Sequence, residues 1–338
     1  CMYNISLITG DGIGPELSES VNTILDTIHD KLNVKFDIKT LVAGDAALKK
    51  TGNALPDDVF ESIKSSDACL KAPVGESAKD VIVALRQKLD LYANIRPAKS
   101  YPNTPALRND IDLVIVRENT EDLYTGQEFQ IDDTAVALRI ISEKASKRIA
   151  KHAFETATDR NQQKRVTCVH KSNVMKLTDG IFSKSCEDIS KDYPDVRFDQ
   201  MYVDACAMNL IRAPHEFDVI VTTNLFGDIL SDESSQVVGG LGMAPAANLG
   251  DNFGLFEPVH GAAFDIAGKQ IANPTSFILS TKMMLDWLGS KNNDSDCISA
   301  GKKLEDVVLD LIKSGITTKD IGGENSTQEF TSEITSRL

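Results

Sequence analysis

The sequence lacks the features of a membrane protein, a disulfide-rich secreted domain or a zinc protein. No apolar run approaches the ~18 residues that a membrane helix needs, and we expect no signal peptide. Its six cysteines are scattered along the chain, and no two of them form a C-x-x-C pair. This spacing favours reduced thiols over disulfides or a zinc site, and it predicts a cytoplasmic protein.

Positive charge is also scarce. The chain has 36 Lys and Arg against 50 Asp and Glu, which gives a net charge of −14. That balance argues against nucleic acid or an anionic membrane as the partner. A hydrophobic content of 41% and a length of 338 residues are ordinary for a globular protein of two domains.

Neither of the two common nucleotide-binding fingerprints is present. A predicted strand at residues 3–8 runs into a glycine-rich turn at residues 10–15, but its G-x-G-x-G-P pattern is not G-x-G-x-x-G. In residues 261–270 six residues separate two glycines, so this segment does not match a P-loop either. The first turn is therefore equally compatible with a tight backbone turn and with a ligand-binding loop.

Two carboxylates recur at helical spacing after a predicted buried strand. Residues 217–221 are apolar and β-branched, and Asn224 can cap the helix that follows them. Asp228 and Asp232 are four residues apart, so they share one helical face. Adjacent carboxylates repel unless a cation lies between them, and Mg²⁺ or Mn²⁺ prefers such ligands. The alternative is a solvated acidic helix.

Other charged residues follow other predicted strands. Arg117, Lys171 and Asp204 each come after an apolar run, as Asp228 does. In open α/β sheets ligands bind at the carboxyl ends of the strands. The repetition therefore predicts that these residues belong to one site.

Two more arginines, Arg86 on a predicted helix and Arg96 on a predicted strand, precede Arg117. Each arginine alone is compatible with a surface charge or an ion pair. If the three meet, they form a clamp for a substrate with several carboxylates, because the guanidinium fork matches carboxylate geometry.

These motifs, taken in order, resemble the β-decarboxylating dehydrogenases, the family of the 3-isopropylmalate, isocitrate, homoisocitrate and tartrate dehydrogenases. The resemblance covers essentially the whole chain, and it is greatest to the archaeal-type 3-isopropylmalate dehydrogenases. The segments that carry it are residues 9–16, 81–86, 91–100, 117–124, 170–173, 204, 224–233 and 257–274.

The resemblance implies an α/β fold of two domains with a large mixed sheet, which is not a Rossmann fold. Residues 1–98 and 239–338 would form a discontinuous cofactor-side domain. Residues 99–238 would form a domain for dimerisation and metal binding, with an arm near residues 126–136. The expected assembly is a homodimer with shared active sites, in which Lys171 and Asp204 complete the site of the other copy.

The implied reaction is the NAD-dependent oxidative decarboxylation of 3-isopropylmalate to 2-oxoisocaproate (4-methyl-2-oxopentanoate) in leucine biosynthesis. The alternative within the family is isocitrate or homoisocitrate as the substrate. The implied metal ligands for Mg²⁺ or Mn²⁺ are Asp204, Asp228 and Asp232, and the implied catalytic residues are Tyr124 and Lys171. The implied substrate-binding residues are Arg86, Arg96, Arg117, Ile82 and Val83. The implied cofactor-binding residues are Ile13, Asn173, Glu257, His260, Gly261, Asp265, Ile266 and Asn273.

The acidic residue Asp265 bears on cofactor selectivity, and the aliphatic pair Ile82 and Val83 bears on substrate selectivity. A carboxylate at Asp265 can accept hydrogen bonds from a ribose 2′-OH and would repel a 2′-phosphate, which favours NAD over NADP. Aliphatic side chains at Ile82 and Val83 suit an isopropyl group, although both could instead face the core. The rival functions are a regulatory subunit of an isocitrate dehydrogenase and a Mg²⁺-dependent phosphoryl-transfer enzyme.

Overall fold

The computed structural model describes residues 2–338, so Cys1 lies outside it. The strands are β1 (Met2–Ile8), β2 (Lys35–Leu41), β3 (Ala68–Lys71), β4 (Ala93–Lys99), β5 (Asp112–Glu118), β6 (Glu128–Ile131), β7 (Thr134–Ala137), β8 (Arg165–His170), β9 (Arg197–Tyr202), β10 (Val219–Thr222), β11 (Pro245–Leu249) and β12 (Gly254–Pro258). The helices are α1 (Gly14–Lys31), α2 (Asp45–Thr51), α3 (Asp57–Ser65), α4 (Ala78–Lys88), α5 (Glu143–Arg160), α6 (Thr178–Ser190), α7 (Val203–Arg212), α8 (Asn224–Val237), α9 (Thr275–Lys291), α10 (Ser295–Lys313) and α11 (Thr327–Arg337).

Ten strands form one sheet in the order β2-β1-β3-β12-β11-β4-β5-β10-β8-β9. The strands of each outer part run parallel to one another, whereas β11 is antiparallel to both β12 and β4, and β4 is antiparallel to β5. The predicted α/β fold with a large mixed sheet is thus confirmed. The antiparallel strands at its centre distinguish it from a Rossmann sheet.

Burial explains why the parallel strands read as continuous apolar runs. All four residues of β10 are buried, because helices cover the faces of the sheet. On α1 the apolar residues recur at helical spacing and face the core, where Leu17, Val21 and Leu25 are fully buried. The sheet and its covering helices therefore form a rigid base for the ends of the strands.

The division of the chain into two domains stays a prediction, which the sheet order supports. The strands of residues 99–238 that join the large sheet are β5, β10, β8 and β9, and they are contiguous. We propose that the domain boundary runs between β4 and β5. Strands β6 and β7 form a separate hairpin, in which Phe129 and Ile131 are 50% and 60% exposed. This hairpin occupies the stretch expected to form an arm.

The helices offer no membrane span. Over residues 2–338, none of them combines the length and the apolar character needed to cross a bilayer.

Candidate active site

Helix α8 carries the two predicted metal-binding carboxylates, but its first turn differs from the prediction. Asn224 is the first residue of the helix rather than its cap, and Thr223 precedes it without a side-chain cap. The Oδ1 of Asn224 instead accepts a hydrogen bond of 3.0 Å from Nε of Arg117. The capping prediction is wrong because a buried guanidinium needs acceptors, and the Asn224 amide supplies one.

Asp228 and Asp232 have different electrostatic surroundings. Asp228 Oδ1 lies 3.3 Å from Arg117 Nη1, and its Oδ2 accepts a 2.7 Å hydrogen bond from the Tyr124 hydroxyl. Burial opposes ionisation of Asp228, but Arg117 and the Tyr124 hydroxyl, with the charges of Arg96 and Arg86, outweigh it, so the pKa of Asp228 is lowered. Burial raises the pKa of Asp232, and the charge of Asp228 adds to this effect against the opposing charge of Arg96. A bound cation would favour ionisation of both carboxylates.

Arg86 on α4, Arg96 on β4 and Arg117 on β5 are all buried, and together they form what we call the arginine cluster. Burial and then the charge of Arg117 lower the pKa of Arg86 to about 10. The same two causes lower the pKa of Arg96. The structure therefore brings the three predicted arginines together beside Asp228, where their mutual repulsion favours the binding of an anion.

Three asparagines, Asn94, Asn224 and Asn248, accept hydrogen bonds from the arginines of this cluster. None of these side chains was predicted from the sequence to bind an arginine. In the sheet register Asn94 on β4 lies opposite Asn248 on β11 and opposite Arg117 on β5. Directly opposed residues of antiparallel strands share a face, as do residues two apart on one strand. Asn94 therefore lies beside Arg96, which was visible in the sequence, whereas its contact with Asn248 requires the sheet order.

The two predicted selectivity residues on α4 have different neighbours. Ile82 packs partly against the core cluster that contains Val81 and Leu85. Val83 is partly exposed and belongs to none of the core clusters of residues 2–338. It lies three residues before Arg86, on the same side of the helix. Ile82 thus faces the core in part, which was the alternative to substrate contact, whereas Val83 does not.

Lys171 and Asp204 form a separate pair. Lys171 Nζ donates a 2.7 Å hydrogen bond to Asp204 Oδ1, and this contact lowers the pKa of Asp204. The Asp204 side chain is 67% exposed. Within residues 2–338 no group of three metal-ligating side chains forms, so Asp204 does not join Asp228 and Asp232 in a single chain.

A cavity of about 380 Å³ lies at the start of α1. It has an apolar wall, and the buried Nε2 of His260 has no hydrogen-bond partner there. Burial lowers the pKa of His260, which keeps the ring neutral. The residues that line it are Ile13, Gly242, His260, Gly261, Ala263, Ile266, Ile271, Ala272, Asn273 and Asp320. Five of the eight predicted cofactor-binding residues thus share one cavity, and an orphaned polar atom in an apolar pocket fits an aromatic ligand.

Asp320 was not foreseen in this cavity, where it accepts a 2.9 Å hydrogen bond from Asn273. No sequence signal near Asp320 indicated this contact. Three predicted cofactor-binding residues lie outside the cavity lining. Asp265 is exposed in the turn beside it, Asn173 is exposed near Lys171, and Glu257 lies at the end of β12.

The glycine-rich turn after β1 packs against the protein's own backbone. A Cβ on Gly10 would collide with the carbonyl of Pro73, and a Cβ on Gly12 would collide with that of Ala262. Both glycines have positive φ, and Ile13 N donates a 2.8 Å hydrogen bond to Ala262 O. Of the two alternatives, a tight turn accounts for these glycines, and Ile13 is the residue of this segment that lines the cavity.

A family profile described as "Isocitrate/isopropylmalate dehydrogenase" matches residues 4–336. The chain belongs to this family. The motif resemblance is therefore confirmed, and the dehydrogenase is an oxidoreductase. This membership also rules out the phosphoryl-transfer alternative.

Individual relatives of this dehydrogenase match it from end to end. The 3-isopropylmalate dehydrogenase of Saccharolobus solfataricus is 51% identical over 334 residues, which are 98% of each chain. That of Sulfurisphaera tokodaii is 49% identical over 338 residues and 99% of each chain. The crystal structure of isocitrate dehydrogenase from Methylococcus capsulatus superposes with a TM-score of 0.91, at 41% identity and over 99% of each chain.

Proposed function

We propose that the protein catalyses the NAD-dependent oxidative decarboxylation of 3-isopropylmalate to 4-methyl-2-oxopentanoate in leucine biosynthesis. The observation that carries this proposal is the arginine cluster beside Asp228, with the aliphatic Val83 one turn from Arg86. Two relatives of about 50% identity bear the name 3-isopropylmalate dehydrogenase, whereas the isocitrate dehydrogenase above is 41% identical.

The arginine cluster would bind the two carboxylates of the substrate. Arg117 is 1% exposed and fully oriented by Asn224 and Asp228, so it can hold a carboxylate without reorganisation. Val83 would contact the isopropyl group, and each buried CH₂ contributes about 0.8 kcal/mol. A third substrate carboxylate at this point would lose hydration without gaining a partner.

Tyr124 would supply a proton. Burial and the hydrogen bond to Asp228 raise its pKa to about 12, so the phenol is protonated at neutral pH. It can therefore protonate the carbon from which CO₂ departs. Lys171 would act as the general base: as the neutral amine, it would accept the proton of the substrate C2 hydroxyl. Asp204 holds the Nζ nitrogen in place through its 2.7 Å hydrogen bond.

Asp228 and Asp232, with Asp204 of a second copy, would hold Mg²⁺ or Mn²⁺. Oxygen ligands at this spacing suit hard divalent ions. When bound, such an ion would acidify the C2 hydroxyl and would polarise the C2 carbonyl that takes up the electron pair left when CO₂ departs. NAD would occupy the cavity at the start of α1 and accept the C2 hydride, with Asp265 beside the adenosine ribose.

A homodimer would bring the two parts of the site together. The faces of α7 and α8 expose large apolar side chains, among them Met208, Ile211 and Ile229. Exposed apolar surface marks protein contacts, and the arm exposes two further apolar side chains, Phe129 and Ile131. This surface supports association of two copies, with Lys171 and Asp204 donated by each copy to the other.

The test follows NADH absorbance after addition of NAD, Mg²⁺ and one hydroxy acid. The candidates are 3-isopropylmalate, isocitrate, homoisocitrate and malate, and each is repeated with NADP. We expect the highest kcat/KM with 3-isopropylmalate and NAD. Preferential oxidation of isocitrate would contradict the substrate assignment, and no oxidation of any of them would favour the regulatory-subunit alternative.

A further inference from the structure

The three arginines of the cluster are oriented in the same way. In each, the Nε nitrogen donates a hydrogen bond to the Oδ1 of an asparagine. The pairs are Arg86 with Asn248 at 3.0 Å, Arg96 with Asn94 at 2.8 Å, and Arg117 with Asn224 at 3.0 Å. A bond to Nε fixes the plane of a guanidinium and leaves its terminal nitrogens for another acceptor.

Asn248 is the most constrained of these asparagines. It is 0% exposed, and its Oδ1 accepts hydrogen bonds from Arg86, from Asn94 at 3.2 Å and from Asn119 at 3.0 Å. Its Nδ2 donates a 2.7 Å hydrogen bond to Glu257 Oε2. With three donors around the oxygen and a carboxylate at the nitrogen, only one orientation of the amide satisfies its neighbours.

These anchors are neutral, which is unusual for a buried arginine. A carboxylate is the common partner, because it offsets the cost of burying the charge. Among residues 2–338, however, Arg86 forms no salt bridge, and Arg96 Nη1 approaches Asp232 Oδ1 only to 3.9 Å. The terminal nitrogens of Arg86 also donate no hydrogen bond to any of residues 2–338. An amide oxygen therefore orients Arg86 without cancelling its charge.

We propose that Asn248 and Asn94 are positioning residues that orient Arg86 and Arg96 while leaving their positive charge available to the carboxylates of the ligand. This inference rests on the proposed function for the identity of that ligand. It requires an anionic ligand with at least two carboxylates. An aspartate in place of either asparagine could keep the hydrogen bond to the arginine. Its carboxylate would, however, compete with the carboxylates of the ligand for the charge of that arginine.

A charge exchange separates this role from a packing role. Asn248→Asp adds a carboxylate beside Arg86, and Asn248→Asp combined with Glu257→Gln restores both the total charge and a hydrogen bond between the two positions. The probe is malonate, a dicarboxylate that cannot be oxidised here, titrated calorimetrically in EDTA without NAD. We expect both variants to bind malonate about tenfold more weakly than the unaltered protein, since the new carboxylate offsets the charge of Arg86.

The controls are Glu257→Gln alone and Asn252→Asp, an exposed site in the loop between β11 and β12. Asn252→Asp should retain malonate affinity within about twofold, because its new charge lies away from Arg86. Glu257→Gln should bind malonate no more weakly than the unaltered protein, because it removes a negative charge that acts on Arg86 and Arg96. The double variant should also unfold at a temperature no lower than that of Glu257→Gln, since Arg86 gains an ionic partner. A purely structural asparagine would instead lose stability while the double variant kept its affinity for malonate, and that result would overturn the proposal.

If Asn248→Asp does not fold, Asn94→Asp tests the same prediction at Arg96. Absence of malonate binding by the unaltered protein would also overturn the proposal, because the cluster would then not accept a dicarboxylate. Failure of the proposed function is a separate result. In that case the unaltered protein would bind malonate, with the expected loss in the variants, but would not oxidise 3-isopropylmalate.

Discussion

The arginine cluster and the Lys171–Asp204 pair differ in how much of their surroundings one chain supplies. Arg117 is buried and is oriented by Asn224 and Asp228 of the same chain. The Lys171 side chain is 24% exposed, and its ionic partner Asp204 is more exposed still. One region is complete within the chain, whereas the other presents charged groups outward. We expect this difference if, as proposed, the site is assembled from two copies, one providing the anion clamp and the other the base.

The largest effect should come from the exposed region. Lys171→Met removes the proposed base, so kcat with 3-isopropylmalate should fall by about 10²–10⁴-fold with little change in KM. The matched control is Lys176→Met, an exposed lysine of the same segment, which should retain full activity. Equal activity of the Lys171 variant would show that the base lies elsewhere.

The next prediction concerns Asp232, beside the arginine cluster, and the pH dependence of Mg²⁺ binding there. Protons and a divalent ion compete for its carboxylate, and burial raises its pKa above the ordinary value. The affinity for Mg²⁺ should therefore fall as the pH is lowered through this raised pKa. Asp232→Asn should weaken Mg²⁺ binding by about tenfold or more and should flatten this pH dependence. Calorimetric titrations of Mg²⁺ from pH 5 to 8 would measure it, and an unchanged profile in the variant would contradict the ligand assignment.

The cofactor cavity offers a third test, away from both regions. Asp265 lies exposed beside Ile266, which lines the cavity. Changing Asp265 to Lys together with Ile266 to Tyr should raise the ratio of kcat/KM for NADP over NAD by about tenfold or more, because a cation replaces an anion near the 2′ position. The same pair of rates for Lys269→Asp, an exposed charge change nearby, serves as the control. An unchanged preference for NAD over NADP in the double variant would show that the adenosine ribose does not lie beside Asp265.

The smallest effect is expected at Val83. Val83→Ser should raise the KM for 3-isopropylmalate by about threefold to tenfold, because partial burial of two methyl groups is worth about 0.7–1.4 kcal/mol. The KM for NAD should be unchanged. Ile82→Ser, at the position that packs partly on the core, should lower the melting temperature more and the substrate selectivity less. The reverse order of effects would show that Ile82 contacts the isopropyl group.

Sequence reasoning foresaw the parts of the site that local rules determine. The carboxyl-end rule placed Arg117 and Asp228 together, and the four-residue spacing placed Asp228 and Asp232 on one helical face. It failed where a long-range contact competes with a local one. Asn224 could have capped α8, but the buried Arg117 binds its side chain instead.

The remaining contacts depend on tertiary structure. Arg86 and Asn248 are 162 residues apart in the chain, and only the sheet order β12-β11-β4-β5 brings Asn248 to the cluster. Asp320 likewise reaches the cavity through a 3-10 turn whose sequence resembles any surface turn. Patterns of period two or 3.6 carry no information on such pairs.

Complementation between two inactive variants tests the central claim, a site shared by two copies, most directly. Tyr124→Phe and Lys171→Met should each be nearly inactive alone. If the two are unfolded and refolded together, half of the dimers are mixed, and each mixed dimer has one intact site. NADH production should then return to about one quarter of the activity of the unaltered protein. No recovery, in a mixture shown to contain mixed dimers, would mean that one chain supplies both residues and would contradict the account.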